Sequence, residues 1–460
     1  MRILFSFFLL LSTTLKGQTF SVDTILMSGS VDKHINFVII PDGYQEAELA
    51  QFNEDAKKFA EVFFDTPPFN YYKSYFNVFT INVPSNESGA DHPGTATDVS
   101  EPAHPVEDVD NYFGSTFDYY DIHRLLVPLN ESNIYSVLAM NFPAYDQVII
   151  LANTPHYGGS GGEFATASLH SASIEVTTHE LGHSFAGLAD EYYAGDFYAG
   201  ERVNMTQETD PLKVKWKNWI DENGVGIYQH CCGGNSASWY RPHENCKMRT
   251  LGAPFCPVCS ENIVERIHIL APPLLAFSPE NLELSNDELP LLFSLELIHP
   301  QPNSLQVTWE LNDVVINDTT EQVLIEDDSL VDGENFLIAY IQDTTALIRS
   351  AAHDQFHIYT VIWKIDNESL SKHITGSKQL IDISLFPNPA SDILNVWLKE
   401  PFKGGNMKLV ISDGSGVNIA QHDVADSGKQ IDLTNYAKGA YYLKFYVGKT
   451  LIAVKPLIIN

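Results

Sequence analysis

Residues 173–192 read SIEVTTHELGHSFAGLADEY, and this stretch combines a helical pattern with two histidines four positions apart. On an α-helix with about 3.6 residues per turn, such residues share one face, so His179 and His183 project together. Two neutral imidazoles make half of a zinc coordination shell. The apolar side chains fall on the opposite face, where they can pack against a sheet: Ile174, Leu181, Phe185 and Leu188. The pattern predicts a metal-bearing helix from about Ser173 to Ala186.

Glu180 follows His179 directly and is turned away from ligation, but its carboxylate can reach a metal-activated water as general base. The HExxH pattern fixes only three residues, so a structural coincidence is the alternative to a metal site. The helical context and the nearby Gly187, Asp190 and Glu191 favour the metal site.

Gly187 is placed to end this helix, because glycine adopts the left-handed conformation that terminates helices. The chain can then double back and bring Asp190 to the metal as third protein ligand, which leaves a fourth position for water. Glu191 is the competing third ligand, since its longer side chain spans a similar gap. Its other role would be to orient one of the histidines.

Three short apolar runs upstream of the helix have the composition of buried strands: residues 35–40, 77–83 and 146–151. Between the first two runs, apolar residues recur at helical spacing from Gln45 to Phe64. A strand, helix, strand unit implies a parallel pair of strands within a mixed sheet. A further helix is expected downstream, from Pro257 to Leu270.

The composition is that of a folded and strongly acidic chain. Its 460 residues suggest two or three domains, and 44% hydrophobic with 19% charged residues excludes a mostly disordered protein. The formal net charge of -32 repels phosphate backbones and anionic membranes, which argues against nucleic-acid partners. Residues 1–17 have the order of a secretory signal peptide, and no later run reaches transmembrane length. We therefore expect an exported protein without a membrane span.

All five cysteines lie between Cys231 and Cys259. In an oxidising compartment such a group usually forms disulfides, although the odd count leaves one thiol over. Cys256 and Cys259 have the spacing of a zinc knuckle, but export and the lack of a second CxxC favour disulfides. The pairing cannot be derived from the sequence.

The C-terminal part is rich in β-strand patterns. Consecutive prolines at 272–273 mark a domain boundary, and the following apolar runs alternate with turn residues. This predicts an Ig-like β-sandwich over residues 274–375, with Trp309 and Trp363 in its core. Residues 383–460 are expected to form another short all-β unit.

Several segments together resemble the IgA-peptidase family of metallopeptidases. These are IIPDGY at 39–44, FFDTPPF at 63–69, FNVFTINVPSNESG at 76–89, GLADEY at 187–192, VKWKNW at 214–219, CKM at 246–248 and FCPVC at 255–259. The resemblance covers about residues 31–270. It implies an α+β, metzincin-like catalytic domain with a mixed twisted sheet, an active-site helix and a methionine turn, here Met248, as a hydrophobic floor. Asp190 then stands where metzincins commonly have a third histidine.

Metzincin-like enzymes also have a rim strand before the metal helix, and EFATAS at 163–168 occupies that place here. We expect an extended substrate to pair with this strand, backbone to backbone. The preceding GGSGG at 158–162 is expected to be a mobile loop.

The last segment resembles a type IX secretion sorting tail, on LFPNPASD at 385–392, SDGSG at 412–416 and GAYYLKF at 439–445. This implies a Bacteroidota-like source, the type IX secretion machinery as a partner, and a secreted or cell-surface location. An ordinary Ig-like module is the alternative.

The expected domain order is a signal peptide at 1–17, a zinc metallopeptidase domain at 18–271 that allows for an N-terminal strand extension at 18–33, a β-sandwich at 274–375 and a sorting domain at 383–460. The predicted function is a secreted zinc endopeptidase that acts on proteins or peptides, with Glu180 as base. The alternative is a non-catalytic surface-binding protein with a structural metal, but such a site needs no base and usually closes its fourth position.

Overall fold

A computed structural model describes residues 19–459 except 317–318, 351–352, 354–356, 368–382, 389, 399–406, 414–417, 426–427 and 448–449. The expected signal peptide lies outside the described residues, as does most of SDGSG. The chain divides into two compact units, one of residues 1–65 and 76–185 and one of residues 66–75 and 186–460. No helix in the described part of the chain is both long and apolar enough to cross a membrane.

The described residues of the first unit form three α-helices and eight strands. The helices are Leu49–Phe64 (α1), Glu131–Asn141 (α2) and Ser173–Ser184 (α3). The strands are Val22–Leu26 (β1), Ile35–Asp42 (β2), Phe76–Ile81 (β3), Ser115–Thr116 (β4), Val127–Pro128 (β5), Gln147–Ala152 (β6), Gly159–Ser160 (β7) and Ala165–Ser168 (β8).

Six of these strands form one mixed sheet in the order β1-β3-β2-β6-β8-β7. The pairs β3–β2, β2–β6 and β6–β8 are parallel, whereas β1 and β7 are antiparallel edge strands. Every residue of β2 is buried, as expected of a central strand covered on both faces. The strand, helix, strand unit and the mixed sheet predicted from the sequence are confirmed.

Helix α1 joins the parallel strands β2 and β3 and buries one apolar side. The buried residues recur at helical spacing: Phe52, Ala56, Phe59, Ala60, Phe63 and Phe64. Phe63 and Phe64 approach Phe37 of β2, with ring centroids 5.7 and 6.0 Å apart. These buried aromatic side chains form much of the core on this side of the sheet.

Asp42 and Gly43 at the end of β2 have a structural role. The buried Asp42 carboxylate accepts hydrogen bonds from the backbone N–H groups of Phe113 and Ser115, both at 2.9 Å. Gly43 has φ 68°, and a Cβ there would lie 2.7 Å from the carbonyl carbon of Gly89. The segment between β3 and β6 is therefore fastened to the end of a central strand.

The glycine-rich stretch before α3 differs from the expectation of a mobile loop. Gly159 and Ser160 form strand β7, which is buried and pairs with β8 opposite Ala167 and Thr166. The EFATAS segment, observed as β8, consequently has partners on both sides and is not the rim strand. The structure thus differs from the predictions in having paired strand residues within the predicted loop and in making β8 an inner strand. A Cβ at Gly159 would lie 2.8 Å from the Thr166 carbonyl oxygen, so glycine permits this close backbone pairing.

The described residues of the second unit form one complete α-helix, several short 3-10 helices and seventeen strands. The helix is Pro257–Leu270 (α4), as predicted. The strands are Tyr228–Gln229 (β9), Tyr240–Arg241 (β10), Leu274–Ser278 (β11), Glu283–Ser285 (β12), Leu291–Leu297 (β13), Leu305–Leu311 (β14), Val314–Ile316 (β15), Gln322–Ile325 (β16), Gly333–Asp343 (β17), Ile358–Asn367 (β18), Ile383–Phe386 (β19), Ile393–Leu398 (β20), Met407–Asp413 (β21), Asn418–Val424 (β22), Gly428–Asp432 (β23), Gly439–Val447 (β24) and Thr450–Ile459 (β25).

After α4 the described residues are mainly β-strands, in agreement with the sequence pattern. Strands β11-β13-β16 and β12-β18-β17-β14-β15 form two sheets around one core, in which Trp309 and Trp363 are fully buried and stacked 5.8 Å apart. A second pair of sheets, β19-β20-β23 and β22-β21-β24-β25, surrounds a separate core. The predicted tryptophan core is confirmed, and the domain boundaries remain predictions.

A buried aspartate joins α4, β17 and the short 66–75 segment of this unit. Asp343 accepts hydrogen bonds from the Tyr72 hydroxyl at 2.7 Å, His268 Nε2 at 2.9 Å and the Ser304 hydroxyl at 2.6 Å. Burial alone would raise the pKa of Asp343, but the three hydrogen bonds outweigh it and lower the pKa to about 2. The carboxylate is therefore kept ionised inside the unit.

Candidate metal centre

Helix α3 packs against β7 and β8 and carries the two predicted histidine ligands on one face. His179 is buried, His183 is half-buried, and their Nε2 atoms lie 3.2 Å apart. Two nitrogens bound to one tetrahedral zinc at about 2.0–2.1 Å would be separated by about 3.3 Å. The imidazoles therefore converge as a zinc ion requires, and the residues fit the metal.

The other face of α3 is anchored in the core of the first unit. Leu181 and Phe185 are buried, and the Phe185 ring lies 5.9 Å from Phe37 and 6.1 Å from Phe76. Ile174 is only half-buried, and α3 ends at Ser184, two residues before the predicted end. Rigid packing behind the helix fixes the direction in which the histidines point.

Glu180 lies between the histidines, and its carboxylate is close enough to both for the three side chains to share one site. Their ligand-type atoms all lie within 4.8 Å of one another. Gly161 faces this carboxylate: a Cβ at position 161 would lie 2.8 Å from Glu180 Cδ and closer still to its Oε2. Gly161 thus creates the space that the Glu180 carboxylate occupies.

The downstream site residues belong to the second unit. Gly187 has φ 64°, which confirms the left-handed break predicted after the helix. The Asp190 carbonyl accepts a hydrogen bond from His230 Nε2 at 3.0 Å, and the fully buried Met248 accepts one from Glu191 N–H at 2.7 Å. Because α3 belongs to the first unit, Asp190 as third ligand and Met248 as floor remain predictions.

Glu191, the alternative third ligand, has a different set of neighbours. Its side chain is fully buried, and Oε1 accepts hydrogen bonds from Asn204 Nδ2 at 3.0 Å and from Cys259 Sγ at 3.3 Å. Burial raises the pKa of this carboxyl group well above its ordinary value. Glu191 is therefore engaged within its own unit, beside a cysteine.

The expected disulfides are not confirmed, because the five cysteines are all free in this structure. Cys246, Cys256 and Cys259 are buried beside Glu191, whereas Cys231 and Cys232 are neighbours with sulfurs 2.8 Å apart. Sequence spacing alone could not show that three thiols and a carboxylate meet in the fold.

Two further clusters of ligand-type residues have no motif in the sequence, because their members come from separate parts of the chain and meet only in the fold. One brings together His92, Glu101, His104, Asp118 and His123, and the other Glu265, His353 and His357. In the first cluster, His92 Nε2 lies 3.2 Å from Glu101 Oε2, and His123 Nδ1 lies 3.2 Å from Asp118 Oδ1. The contact of His123 with Asp118 is a hydrogen bond, whereas the buried His92 Nε2 makes no hydrogen bond among the described residues.

Comparisons with protein families confirm both resemblances. Residues 24–228 match the IgA Peptidase M64 family, and residues 384–460 match the secretion system C-terminal sorting domain. No curated protein gives a significant match. The matched segment includes α3 with His179, Glu180 and His183, and it continues through Gly187, Asp190 and Glu191. Met248 and the buried cysteines lie beyond its end.

Some solved structures align with parts of the chain. Dimeric latent PorU from Porphyromonas gingivalis is 15% identical over 40% of this chain and 20% of its own, with a TM-score of 0.15. The chicken CNTN1 FN1–FN3 domains are 9% identical over 41% of this chain and 66% of theirs, with a TM-score of 0.15. SGBP-B from Bacteroides ovatus is 10% identical over 41% and 69%, with a TM-score of 0.16. The chain thus spans a fifth of PorU, and scores this low do not establish a shared overall fold.

Proposed function

Because residues 24–228 match the IgA Peptidase M64 family, we propose that the protein is a zinc-dependent endopeptidase, with His179 and His183 as metal ligands and Glu180 as general base. Asp190 is proposed as the third protein ligand. The observation that carries the proposal is the convergence of the two imidazoles beside one carboxylate on α3. The sorting domain at residues 384–460 indicates type IX export to the cell surface or the extracellular space.

Each residue of the proposed site has a separate role in hydrolysis. A zinc ion held by the histidines would act as a Lewis acid toward the scissile carbonyl and stabilise the developing oxyanion. Glu180 takes a proton from the attacking water and later gives it to the leaving amine. Gly161 leaves room for this carboxylate, and the apolar packing of Leu181 and Phe185 holds the helix in position.

The metzincin-like character of the first unit is part of the same proposal. Support comes from its mixed sheet, from the helix that carries both histidines, and from the left-handed Gly187 that follows. The edge of the sheet beside α3 is β7, so an extended substrate would meet β7 and not β8. That edge already has one backbone bridge, from Gly159 to Leu125.

The test is Glu180→Gln, which keeps the shape of the side chain but removes the base. We expect zinc content to be unchanged and cleavage of a proteome-derived peptide mixture to fall at least about 100-fold. Glu175→Gln, on the same helix, is the matched control and should retain cleavage. Cleavage by the wild type should stop with a zinc chelator and return when zinc is restored.

Near-normal cleavage by Glu180→Gln would overturn the assignment of the base. A wild-type protein that binds zinc but cleaves no peptide at any position would instead support the non-catalytic, surface-binding alternative.

A further inference from the structure

The second unit contains a compact group of four ligand-type side chains. Glu191, Cys246, Cys256 and Cys259 are all buried, and their ligand atoms lie within 4.8 Å of one another. They come from three segments of chain: the one that follows Gly187, the one around Met248 and the start of α4. Three thiols and a carboxylate are an accepted ligand set for tetrahedral zinc.

The distances within the group suit a shared metal ion better than a disulfide. Cys246 Sγ and Cys259 Sγ are 3.6 Å apart, and Cys259 Sγ is 3.3 Å from Glu191 Oε1. Two sulfurs bound to tetrahedral zinc at about 2.3 Å are about 3.8 Å apart, whereas disulfide sulfurs are about 2.0 Å apart. The sulfurs therefore lie at the separation of two corners of a zinc tetrahedron.

A disulfide within this group would leave one thiol unpaired and would give the Glu191 carboxylate no partner. Three thiols cannot all form disulfides among themselves, and the two other cysteines of the chain are neighbours of each other, Cys231 and Cys232. Glu191 Oε2 is buried and has no hydrogen-bond partner among the described residues. An unpaired buried carboxylate oxygen costs stability unless a cation or a donor reaches it.

The local backbone also favours thiolates at this place. Cys256 caps the N-terminus of α4, where the helix dipole stabilises negative charge, and Cys259 lies in the first turn. The backbone N–H of Cys256 points at Cys246 Sγ, 3.3 Å away. An N–H group directed at sulfur is the arrangement that stabilises a ligating thiolate.

We propose that Glu191, Cys246, Cys256 and Cys259 hold a second zinc ion, distinct from the ion of the HELGH helix and structural in role. The shell is closed by four protein ligands, so it has no position for water or substrate. It joins the segment after Gly187 to the Met248 segment and to α4, alongside the hydrogen bond from Glu191 N–H to the Met248 carbonyl. Because the proposal uses no residue of α3, it does not depend on the proposed catalytic function.

The experiment is metal analysis of the full-length protein, purified without added metal or reductant. We expect two zinc ions per chain in the wild type and one in a His179→Ala, His183→Ala double variant. Cys259→Ser should also retain one ion, whereas Cys232→Ser, at an exposed cysteine, is the matched control and should retain two.

Two measurements on the wild type cover the case in which Cys259→Ser does not fold. The cobalt-substituted protein should show a thiolate-to-metal charge-transfer band, and that band should persist in the double histidine variant. Thiol titration in denaturant with a chelator should find Cys246, Cys256 and Cys259 reduced. A disulfide between any two of these three cysteines, or a wild type with a single zinc that is lost with the histidines, would overturn the proposal.

Discussion

Gly161, beside the proposed base, has no room for a larger side chain. A methyl group there would come within 2.8 Å of Glu180 Cδ and 3.0 Å of its Cβ, so either the carboxylate or the backbone has to move. Displacement of a catalytic group by about 1 Å can cost about 100-fold in rate.

We therefore expect Gly161→Ala to lower kcat by about 10- to 100-fold while zinc content and thermal stability change little. Steady-state cleavage of a fluorogenic peptide, together with metal analysis, measures both effects. Gly200→Ala is the control, because a Cβ at position 200 meets no atom within 4 Å. Equal kinetics for the two variants would show that the Glu180 carboxylate does not need this space.

Single substitutions can also distinguish Asp190 from Glu191 as the third ligand of the metal. Glu191 contacts the buried cysteines of its own unit, so we keep Asp190 as the proposed third ligand of the HELGH ion. We expect Asp190→Ala to abolish cleavage but preserve the thiolate band of the cobalt protein. Glu191→Ala should change that band. The reverse pattern in the two cobalt spectra would transfer the third-ligand role to Glu191.

At the scale of secondary structure, the turn after α3 depends on a left-handed residue. Gly187 has φ 64°, and a Cβ there would meet no atom within 4 Å. A side chain at this position would therefore strain the backbone conformation without a steric clash. The expected loss in the free energy of unfolding is about 1 kcal/mol for alanine and less for asparagine.

We expect Gly187→Ala to lower the free energy of unfolding by about 1 kcal/mol and Gly187→Asn by a smaller amount. Chemical denaturation curves of the two variants and the wild type measure this order. If alanine and asparagine were equally tolerated, the turn would not be what limits stability at this position.

Elements in which apolar side chains recur at regular spacing could be predicted from the sequence. Elements that depend on close contact between backbone segments could not. The apolar spacing of α1 and the limits of α4 follow from side-chain pattern and proline, and both were confirmed. Strand β7 consists of Gly159 and Ser160, whose side chains give no strand signal. Its pairing results from tertiary packing, so the sequence predicts a loop at Gly159 and Ser160 where the structure has a strand.

The same limit applies to the site. His179, Glu180 and His183 are found by spacing because one helix presents all three. Glu191 and Cys246 are far apart in sequence and meet only through the fold, so spacing favoured disulfides. Local motifs thus identify chemistry carried by one element, and they miss chemistry assembled from several.

At the scale of the whole molecule, protonation of Asp343 at low pH should destabilise the second unit. Its folded pKa of about 2 lies below the value of about 3.9 expected in an unfolded chain. A lowered carboxyl pKa contributes stability above the unfolded value, and this contribution is lost as pH falls through the folded value. The contribution amounts to about 2 kcal/mol.

We therefore expect the free energy of unfolding to fall between roughly pH 4 and pH 2, and this part of the pH dependence to be absent in Asp343→Asn. Denaturation curves across that range measure it, with the exposed Asp328→Asn as control. A wild type and an Asp343→Asn variant with parallel pH profiles would contradict the role given to this carboxylate.

The central position of β2 has a consequence for the order in which the chain folds. During synthesis, β2, α1 and β3 are complete long before β6, because all of residues 82–146 separate β3 from β6. Until β6 arrives, one apolar edge of β2 has no partner and can pair with another chain. Association between nascent chains should therefore compete with folding at this step. The Asp42 hydrogen bonds to Phe113 and Ser115 can form only after that part of the intervening segment has been made.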